Sequence, residues 1–279
     1  MRRIAHISDL HFGKVDKGVV EALVDELNAD LPDLVIASGD FTMRAREHEF
    51  EATRTFLDRL RSPWFAVPGN HDIPHYLLLE RFFDPFRQYR KYVCRETEPV
   101  WQDEEIGVVG INTARRMAFE LNWSHGRISL DQIERTRRRL EALPRNLFRI
   151  VVGHHPFLPP PDEPWARLVG RAEEALACFD ELDVKLALAG HLHRGYASFR
   201  KPIIAGDHVV ATQTKHEQPV ETGRLLIVQA GSATSTRLRG GDPNAYNRIL
   251  IEGSSATVEP RLWSGSSWVT PEEKARSAA

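Results

Sequence analysis

The sequence predicts a mixed α/β fold in which short strands alternate with helices, followed by a part built of antiparallel strands. The first observation is a set of short apolar runs that each end in a polar loop. The second is the helical spacing of apolar residues between these runs. The third is a change beyond residue 195, where the helical period disappears and apolar runs alternate with Gly, Asn and Pro turns. Alternation of the first kind is typical of strands interleaved with helices.

A strand, a helix and a second strand are predicted within residues 3–38. The run at residues 3–8 ends in a polar cluster that contains Asp9 and His11, as expected for a buried strand that opens into a loop. Apolar residues have helical spacing over residues 19–27, and Asp16 before them is suited to cap the helix. The run at residues 34–38 is a second strand.

The same alternation continues up to residue 195. We predict helices over residues 50–60 and 167–179, and strands at residues 64–67, 107–111, 148–152 and 185–189. Ser129 and Gln132 form the Ser-x-x-Gln pattern of a capping box, which predicts a helix that ends near residue 143. Residues 73–101 are expected to form a helical cap over the site. Their segment 76–92, rich in aromatic and basic residues, either stacks a nucleotide or packs on the core.

The chain after residue 195 is predicted to form antiparallel strands that pack on the first part. The candidate strands are residues 196–199, 208–212, 225–229, 247–251 and 256–262. Residues 266–279 are rich in Ser, Glu and Ala and are expected to be a loose tail, which leaves residues 1–265 as a single catalytic domain. The antiparallel strands offer an edge for pairing two copies into a homodimer.

Composition and charge exclude several classes of protein. Of 279 residues, 42% are hydrophobic and 27% are charged, as in folded globular chains rather than disordered or fibrous ones. The net charge of -2 supplies no overall positive field for nucleic acid or anionic lipid. No apolar stretch approaches the roughly 18 to 20 residues of a membrane segment. Cys94 and Cys178 are isolated and form no thiolate metal motif, so we expect a protein of the reducing cytoplasm.

Side chains that bind metals are concentrated in five loops, each directly after a predicted strand. These residues are Asp9, His11, Asp40, Asn70, His71, Asp72, His154, His155, His191 and His193. Because loops at the carboxyl ends of strands converge on one edge of an α/β sheet, we expect the side chains to meet. Carboxylate, amide and imidazole ligands together suit Mn, Fe, Zn, Ni or Co, and their number suffices for two ions that share one carboxylate.

Five motifs in this order resemble those of the calcineurin-like metallophosphoesterases. That family has D-x-H, G-D, G-N-H-D/E, a His after a strand, and G-H-x-H, which here begin at Asp9, Gly39, Gly69, His154 and Gly190. The resemblance covers residues 9–193 and implies a four-layer α/β/β/α sandwich with mixed sheets.

The same resemblance implies the ligands of two transition metal ions, divalent or mixed-valence Mn, Fe or Zn. The first ion would be held by Asp9, His11 and His193 with Asp40, and the second by Asn70, His154 and His191, with Asp40 as the bridge. His154 is chosen over His155 because the family's ligand stands two positions before the proline.

The reaction implied by the resemblance is phosphoester hydrolysis. Two metal ions lower the pKa of a shared water and hold the phosphoryl oxygens against in-line attack by the hydroxide. His71 is implied to donate a proton to the leaving alkoxide. We expect Asp72, directly after it, to orient the His71 ring and raise its pKa.

Departures from related families narrow the expected substrate. Purple acid phosphatases have a tyrosine ligand where this chain has Met43 and a glycine where it has His11. Phosphoprotein phosphatases have G-D-x-V-D-R-G, whereas here Asp40 is followed by Phe41-Thr42-Met43-Arg44. The chain thus resembles the phosphodiesterase and nuclease branch, and within it the bacterial cyclic-nucleotide phosphodiesterases of class III.

We therefore expect a metal-dependent phosphodiesterase that acts on a small nucleotide diester such as a cyclic nucleotide. One alternative is another diester or a pyrophosphate, for example a glycerophosphodiester or a nucleotide-linked lipid precursor. Another is a DNA exonuclease, but a net charge of -2 supplies little attraction for a long polyanion, so nucleic acid is not the expected partner. A non-catalytic scaffold would have lost His71 or several ligands, and all are present.

Three further residues are candidates for substrate contact. His75 and His155 each lie within four residues of a proposed site residue, and Arg115 follows the strand predicted at residues 107–111. His6, by contrast, lies within the first predicted strand and is interpreted as a core histidine.

Overall fold

The strands of the described residues form two six-stranded mixed sheets. In a computed structural model of the chain, residues 1–75, 78–116, 124–200, 224–238 and 241–277 are described. The first sheet contains, in spatial order, β12 (Trp268–Val269), β11 (Ser255–Trp263), β10 (Ala245–Glu252), β1 (Arg2–Ile7), β2 (Leu34–Ala37) and β3 (Trp64–Ala66). The second contains β4 (Val100–Gln102), β5 (Ile106–Gly110), β6 (Phe148–Val152), β7 (Val184–Ala189), β9 (Leu226–Gln229) and β8 (Tyr196–Phe199).

Two of the helices begin at the capping residues that the sequence predicts. Within the described ranges they are α1 (Lys17–Asp30), α2 (Glu47–Asp58), α3 (Leu78–Phe83), α4 (Arg87–Tyr92), α5 (Leu130–Ala142), α6 (Ala172–Glu181) and α7 (Pro271–Ser277). Asp16 caps α1 and Ser129 forms a capping box with Gln132 before α5, as predicted. α6 begins later than predicted, because Arg171 before it is left-handed with φ 66°. None of these helices is long and apolar enough to cross a membrane.

Three apolar clusters separate four layers. Val35 of β2 packs in a cluster with α1 and α2, whereas its neighbour Ile36 faces the second sheet. Val151 of β6 packs in a cluster with α5 and α6, whereas Ile150 faces the first sheet. This alternation follows from the period of two in a strand, which sends successive side chains to opposite faces. The order of layers is α/β/β/α, and the predicted fold class is confirmed.

The prediction of an antiparallel second part is correct for the pairing of β9 with β8 and wrong for its pairing with β7. β9 lies between β7 and β8 and pairs parallel with β7, with Leu226 opposite Leu186. The apolar run itself does not encode strand direction, which depends on the path of the connecting chain. β10, β11 and β12 are antiparallel as predicted. The predicted strand at residues 208–212 lies outside the described residues.

The prediction of a loose tail over residues 266–279 is also wrong for its described part. Trp268 pairs with Trp263 between β12 and β11, and its buried ring lies 5.3 Å from the ring of Tyr246. The prediction was based on the mostly polar composition of the segment and gave no weight to Trp268, the large apolar side chain that holds the segment on the sheet. β12 is an edge strand, and the homodimer stays a prediction.

The described residues of the segment 73–101 include two short helices, α3 and α4. Phe86 and Tyr89 are buried in the apolar cluster of α1 and α2, and the ring of Tyr92 stacks 6.4 Å from that of Phe50. These aromatic residues therefore pack on the core, which was one of the two interpretations. A cap over the site stays a prediction, since residues 76–77 lie outside the described residues.

Candidate metal centre

The five predicted loops converge at one edge of the molecule. They follow β1, β2 and β3 of the first sheet and β6 and β7 of the second, so both sheets contribute to one site. Hydrogen bonds between loops fix this convergence: the backbone N–H of His191 donates to Asp9 Oδ2 at 2.9 Å, and that of His71 donates to Asp40 Oδ1 at 2.8 Å. The site thus lies where parallel strands end, as expected for an α/β fold.

Asp9, His11 and His193 form a first cluster, and all three are buried. The Nε2 atoms of His11 and His193 lie 3.2 Å apart, and Asp9 Oδ1 lies 3.3 Å from the latter. The other oxygen, Asp9 Oδ2, accepts hydrogen bonds from Ser8 Oγ and His191 N. Only Oδ1 is therefore directed at the two imidazoles.

Asn70, His154 and His191 form a second cluster, and Asp40 lies between the two clusters. Asn70 Oδ1 is 3.0 Å from His191 Nδ1, and the rings of His154 and His191 are 5.2 Å apart. Asp40 Oδ2 lies 3.2 Å from His154 Nε2 and 3.8 Å from His11 Nε2. The structure therefore brings together all seven residues predicted as ligands.

The hydrogen bonds of the rings determine which nitrogen carries the proton. Nδ1 lies against a backbone carbonyl oxygen in His11 (Thr42), His193 (Arg237), His154 (Ser38) and His71 (Met43). Because a carbonyl can only accept, each Nδ1 donates, and each neutral ring presents an Nε2 lone pair to the site. A histidine that binds a metal through one ring nitrogen usually donates a hydrogen bond from the other nitrogen in this way.

Within the part of the chain that the structure describes, two buried polar atoms of the site have no hydrogen-bond partner, Asp9 Oδ1 and His154 Nε2. When both rings are neutral, His11 and His193 likewise direct two lone pairs at each other. An unpaired buried polar atom costs about 1–3 kcal/mol, so acceptors that converge in this way call for a cation, either a proton or a metal ion. The nitrogen and oxygen atoms present fit a divalent transition metal.

The charges of the site also call for cations. Burial alone would raise the pKa of Asp40, but His154 and His71 beside it hold that pKa well below its usual range. Burial alone would lower the pKa of His154, but the carboxylates of Asp40 and Asp9 outweigh it and raise the pKa to about 9. The buried carboxylates of Asp9 and Asp40 therefore stay ionised. They require positive charge nearby, from protons or from metal ions.

Five of the predicted ligands have a left-handed backbone, which non-glycine residues rarely adopt. The φ angles are 53° for Asp9, 54° for His11, 56° for Asp40, 77° for His191 and 59° for His193. Each such residue costs of order 1–3 kcal/mol, and strain of this kind is concentrated at functional sites. Nothing in the sequence indicated it.

Two glycines permit the close approach of the loops. A Cβ atom on Gly190 would lie 1.8 Å from Ser8 Oγ, and one on Gly69 would lie 2.1 Å from Asp40 Oδ1. Both motifs therefore need glycine because a neighbouring loop occupies the space of a side chain.

The predicted role of Asp72 in orienting His71 is wrong. Asp72 Oδ1 accepts from the backbone N–H of Thr42 at 3.0 Å, and Oδ2 accepts from that of Gly69 at 2.9 Å. The ring of His71 is held by the carbonyl of Met43 instead, at 2.7 Å. Burial and the nearby charge of Asp40 raise the pKa of Asp72 to about 7. Asp72 thus links two loops by hydrogen bonds. Its carboxylate is used there and not on the ring of His71, although the two residues are adjacent in the sequence.

The predicted substrate contact of His155 is also wrong, because both of its ring nitrogens are used inside the protein. Nε2 donates to the carbonyl of Ser124 at 2.9 Å, so Nδ1 accepts from Thr113 Oγ1 at 2.7 Å. Burial and the charges of His191 and His154 hold the pKa of His155 well below its usual value, which keeps the ring neutral.

The other two substrate candidates stay predictions. His75 is exposed just beyond the turn that carries Asn70 and His71. Arg115 is half-buried in the loop after β5, and its carbonyl accepts a hydrogen bond of 3.4 Å from Arg81.

Sequence reasoning missed the residues that hold the ligand loops in place. Thr113 Oγ1 accepts from the backbone N–H of both His154 and His155 while it donates to the ring of His155. Ser232 Oγ donates to the carbonyl of Asp9 at 2.7 Å and Thr234 Oγ1 to that of Leu10 at 2.7 Å. The sequence did contain a signal for these residues, because each lies in a polar cluster after a strand: Thr113 follows β5 and Ser232 follows β9.

Curated relatives of this chain include phosphodiesterases of two kinds. A glycerophosphodiester phosphodiesterase GpdQ of Enterobacter lignolyticus is 39% identical over 80 residues, which are 25% of this chain and 29% of that protein. A probable GpdQ of Arcobacter nitrofigilis is 24% identical over 68% of this chain and 69% of the relative. A probable cyclic nucleotide phosphodiesterase of Synechococcus is 25% identical over 71% of this chain and 75% of the relative.

Comparisons with a solved structure and with a family model support the fold and the family to which this site belongs. A purple acid phosphatase from yellow lupin superposes with a TM-score of 0.70 at 13% identity, over 96% of this chain and 52% of that one. At this identity the likeness concerns the fold alone. The family model described as calcineurin-like phosphoesterase matches residues 2–195, which include every predicted ligand. The chain therefore belongs to the calcineurin-like phosphoesterase family, a family of hydrolases.

Proposed function

We propose that this protein is a phosphodiesterase with two metal ions, which hydrolyses a small phosphodiester. The observation that carries the proposal is the pair of facing Nε2 atoms of His11 and His193, 3.2 Å apart, with each Nδ1 donating to a carbonyl. Two lone pairs at this distance repel each other unless a cation lies between or beside them.

The chain offers a set of ligands for each ion. Asp9, His11 and His193 would hold one, Asn70, His154 and His191 the other, and Asp40 Oδ2 would be shared, since it faces a histidine of each set. When bound, the two ions would lower the pKa of a shared water and balance the charge of the phosphoryl oxygens. The donors suit Mn, Fe or Zn.

His71 is the proposed proton donor to the leaving oxygen. Its Nδ1 is committed to the carbonyl of Met43, and its ring lies 4.8 Å from that of His11, beside the first cluster. The atom left for proton transfer is therefore Nε2. Because the partner of Nδ1 is a backbone carbonyl, the ring keeps its orientation whether or not Nε2 is protonated.

The preferred substrate is a cyclic nucleotide, and the second candidate is a glycerophosphodiester. The Synechococcus relative supports the first, and the two GpdQ relatives support the second. We also propose the cytoplasm as the compartment, because Cys94 and Cys178 are both free thiols.

Steady-state hydrolysis of bis(4-nitrophenyl) phosphate beside 4-nitrophenyl phosphate tests the proposal. The protein is treated with chelator and assayed before and after Mn²⁺ is added. We expect turnover only with metal, and faster turnover of the diester. Faster hydrolysis of the monoester would contradict a phosphodiesterase, and no turnover of either ester with Mn²⁺, Fe²⁺ or Zn²⁺ would contradict an enzyme of this type.

The same metal-loaded protein then distinguishes the two substrates. The values of kcat/KM for cyclic AMP and for glycerophosphoethanolamine are compared directly. A higher value for cyclic AMP supports the preferred substrate, whereas a higher value for the glycerophosphodiester replaces it with the alternative.

A further inference from the structure

The segment 232–237, between β9 and β10, is hydrogen-bonded to the loop that carries two ligands of the first cluster. It lies outside residues 2–195, the part of the chain that the family model matches. Ser232, Thr234 and Ser235 are fully buried although each carries a hydroxyl group. Because a buried hydroxyl needs a hydrogen-bond partner, the partners of these groups indicate what the segment does.

Two hydroxyl groups of this segment hold successive carbonyls of the loop after β1. Ser232 Oγ donates to the carbonyl of Asp9 and Thr234 Oγ1 donates to that of Leu10, both at 2.7 Å. The N–H of the residue between them donates to the carbonyl of Ser8 at 2.9 Å. Three consecutive carbonyls at the start of the first cluster are therefore held by three consecutive residues of the segment.

The loop after β1 depends on such hydrogen bonds because its backbone is strained. Asp9 and His11 are left-handed, with φ angles of 53° and 54°. A strained conformation persists only where the surrounding structure holds it. The N–H groups of Asp9 and His11 donate to the carbonyls of Gly39 and Asp40, at 3.1 Å and 3.0 Å. The loop is thus held through its N–H groups by the loop after β2 and through its carbonyls by the 232–237 segment.

The same segment orients the third ligand of the first cluster. His193 Nδ1 donates to the carbonyl of Arg237 at 3.0 Å, and the N–H of Arg237 donates to Ser235 Oγ at 3.0 Å. The segment is itself fixed by the buried Asn244, whose Nδ2 donates to the carbonyls of Ser232 and Ser235 at 3.2 Å and 2.9 Å. A single braced segment is therefore connected to all three ligands of the first cluster.

The second cluster is held from other parts of the fold. His154 Nδ1 donates to the carbonyl of Ser38 at 2.7 Å, and the backbone N–H of His154 donates to Thr113 Oγ1 at 3.3 Å. Thr113 follows β5, whereas Thr234 follows β9. A different buried threonine hydroxyl therefore stands behind each cluster.

We propose that the 232–237 segment positions the ligands of the first metal ion, so that the hydroxyls of Ser232 and Thr234 set the affinity for that ion and not for the second. The inference rests on the proposed function, because it takes one ion at each cluster. Ser232 and Thr234 are positioning residues, since they act through the carbonyls of Asp9 and Leu10. Partners that orient metal ligands typically change the affinity for the metal by about 10- to 100-fold.

Two proteins that each keep one cluster separate the effects on the two ions. The variant Asn70→Ala/His191→Ala removes two ligands of the second ion and is called the first-site protein. The variant His11→Ala/His193→Ala removes two ligands of the first ion and is called the second-site protein. Thr234→Val is added to each, because valine keeps the size of the side chain without the hydroxyl. Calorimetric titration of the chelator-treated proteins with Mn²⁺ measures the Kd.

In the first-site protein we expect Thr234→Val to raise the Kd for Mn²⁺ by about 10-fold or more. In the second-site protein the Kd should change by less than about twofold. Thr113→Val is the matched control, since it also removes a buried hydroxyl, and it should give the opposite pattern. A general loss of stability would instead raise the Kd in both proteins with either variant.

The conservative variant Thr234→Ser keeps the hydroxyl and should restore the Kd of the first-site protein. Circular dichroism checks that each protein is folded. If Thr234→Val does not fold, Ser232→Ala takes its place, because it removes the hydroxyl that donates to the carbonyl of Asp9.

An unchanged Kd in the first-site protein, or an equal increase in both proteins, would overturn the inference and leave the two-metal proposal standing. Failure of the wild type to bind Mn²⁺, Fe²⁺ or Zn²⁺ would instead overturn the proposed function, and the inference with it.

Discussion

The Nδ1 atom of His71 donates a hydrogen bond of 2.7 Å to the backbone carbonyl oxygen of Met43. A carbonyl accepts only, so Nε2 is the nitrogen that faces the metal centre. A carboxylate partner would have changed the charge of the pair, whereas a backbone carbonyl orients the ring without titrating. His71 is therefore suited to act as an acid at a fixed position.

Replacing His71 by Ala is expected to lower kcat by about 10²- to 10⁴-fold for a diester with an alkyl leaving group, because proton donation is lost. The defect should be much smaller for an aryl leaving group, which departs without a proton. The measurement is kcat for both diesters in wild type and variant. An equal defect on both would remove His71 from the role of general acid.

The metal content of the His71→Ala protein serves as the control for this prediction. We expect wild-type stoichiometry by elemental analysis, because His71 belongs to neither proposed ligand set. Loss of metal would instead assign His71 to the ligands.

Removal of metal should destabilise the fold. The buried atoms Asp9 Oδ1 and His154 Nε2 have no hydrogen-bond partner among the described residues, and bound ions would satisfy them. A metal at about 100 times its Kd stabilises by about 2.7 kcal/mol, which for a chain of this size raises Tm by roughly 5 °C. Calorimetric melting of chelated and Mn²⁺-loaded protein measures the shift. The variant Asp40→Asn should show a much smaller one, and an equal shift would mean that the stabilising metal binds elsewhere.

Thr113 is expected to be essential for the position of His154. Replacing Thr113 by Val removes the hydroxyl that accepts two backbone N–H groups and donates to His155 Nδ1. Leaving such buried groups unsatisfied should lower the free energy of unfolding by about 2 kcal/mol and reduce metal affinity. Denaturant unfolding and metal titration are the measurements, and Thr113→Ser, which keeps the hydroxyl, should resemble the wild type. Similar losses in both variants would indicate that the methyl group matters instead.

Acid should destabilise the protein partly through His6. Its ring is buried, with Nε2 2.9 Å from Ser38 Oγ, as the sequence predicted for a core histidine, and burial lowers its pKa from 6.5 to about 3. Below pH 6.5 the unfolded chain binds a proton that the folded chain does not. The contribution of neutral His6 is therefore complete above pH 6.5 and is lost as the pH falls from 6.5 toward 3.

The variant His6→Gln isolates this contribution. In metal-free protein, the free energy of unfolding of the wild type should fall by about 2 kcal/mol more than that of the variant between pH 7 and pH 5. Denaturant titrations at several pH values measure the difference. Parallel pH profiles would show that His6 is not the titrating group.

Local signals in the sequence predicted the elements and the ligand loops. Asp16 caps α1 by accepting hydrogen bonds from backbone N–H groups two and three positions later. The motif that contains His191 and His193 begins directly after the end of β7. Such features depend on residues a few positions apart, so they can be read without knowing the fold. The rule that parallel strands end at one edge predicts that the loops of one sheet lie together, whereas the packing of the two sheets brings the two groups of loops to one site.

The sequence by itself thus determined the α/β class, the strand ends and the residue types that gather there. Only the tertiary structure decided the hydrogen-bond partners, because they come from distant loops: Met43 orients His71 across 28 positions, and Thr113 meets His155 across 42. It likewise decided that Trp268 anchors the last strand and that β9 runs parallel to β7. The physical reason is that a buried polar or apolar group takes whichever partner the packed fold brings within reach, and separation along the chain does not limit that choice.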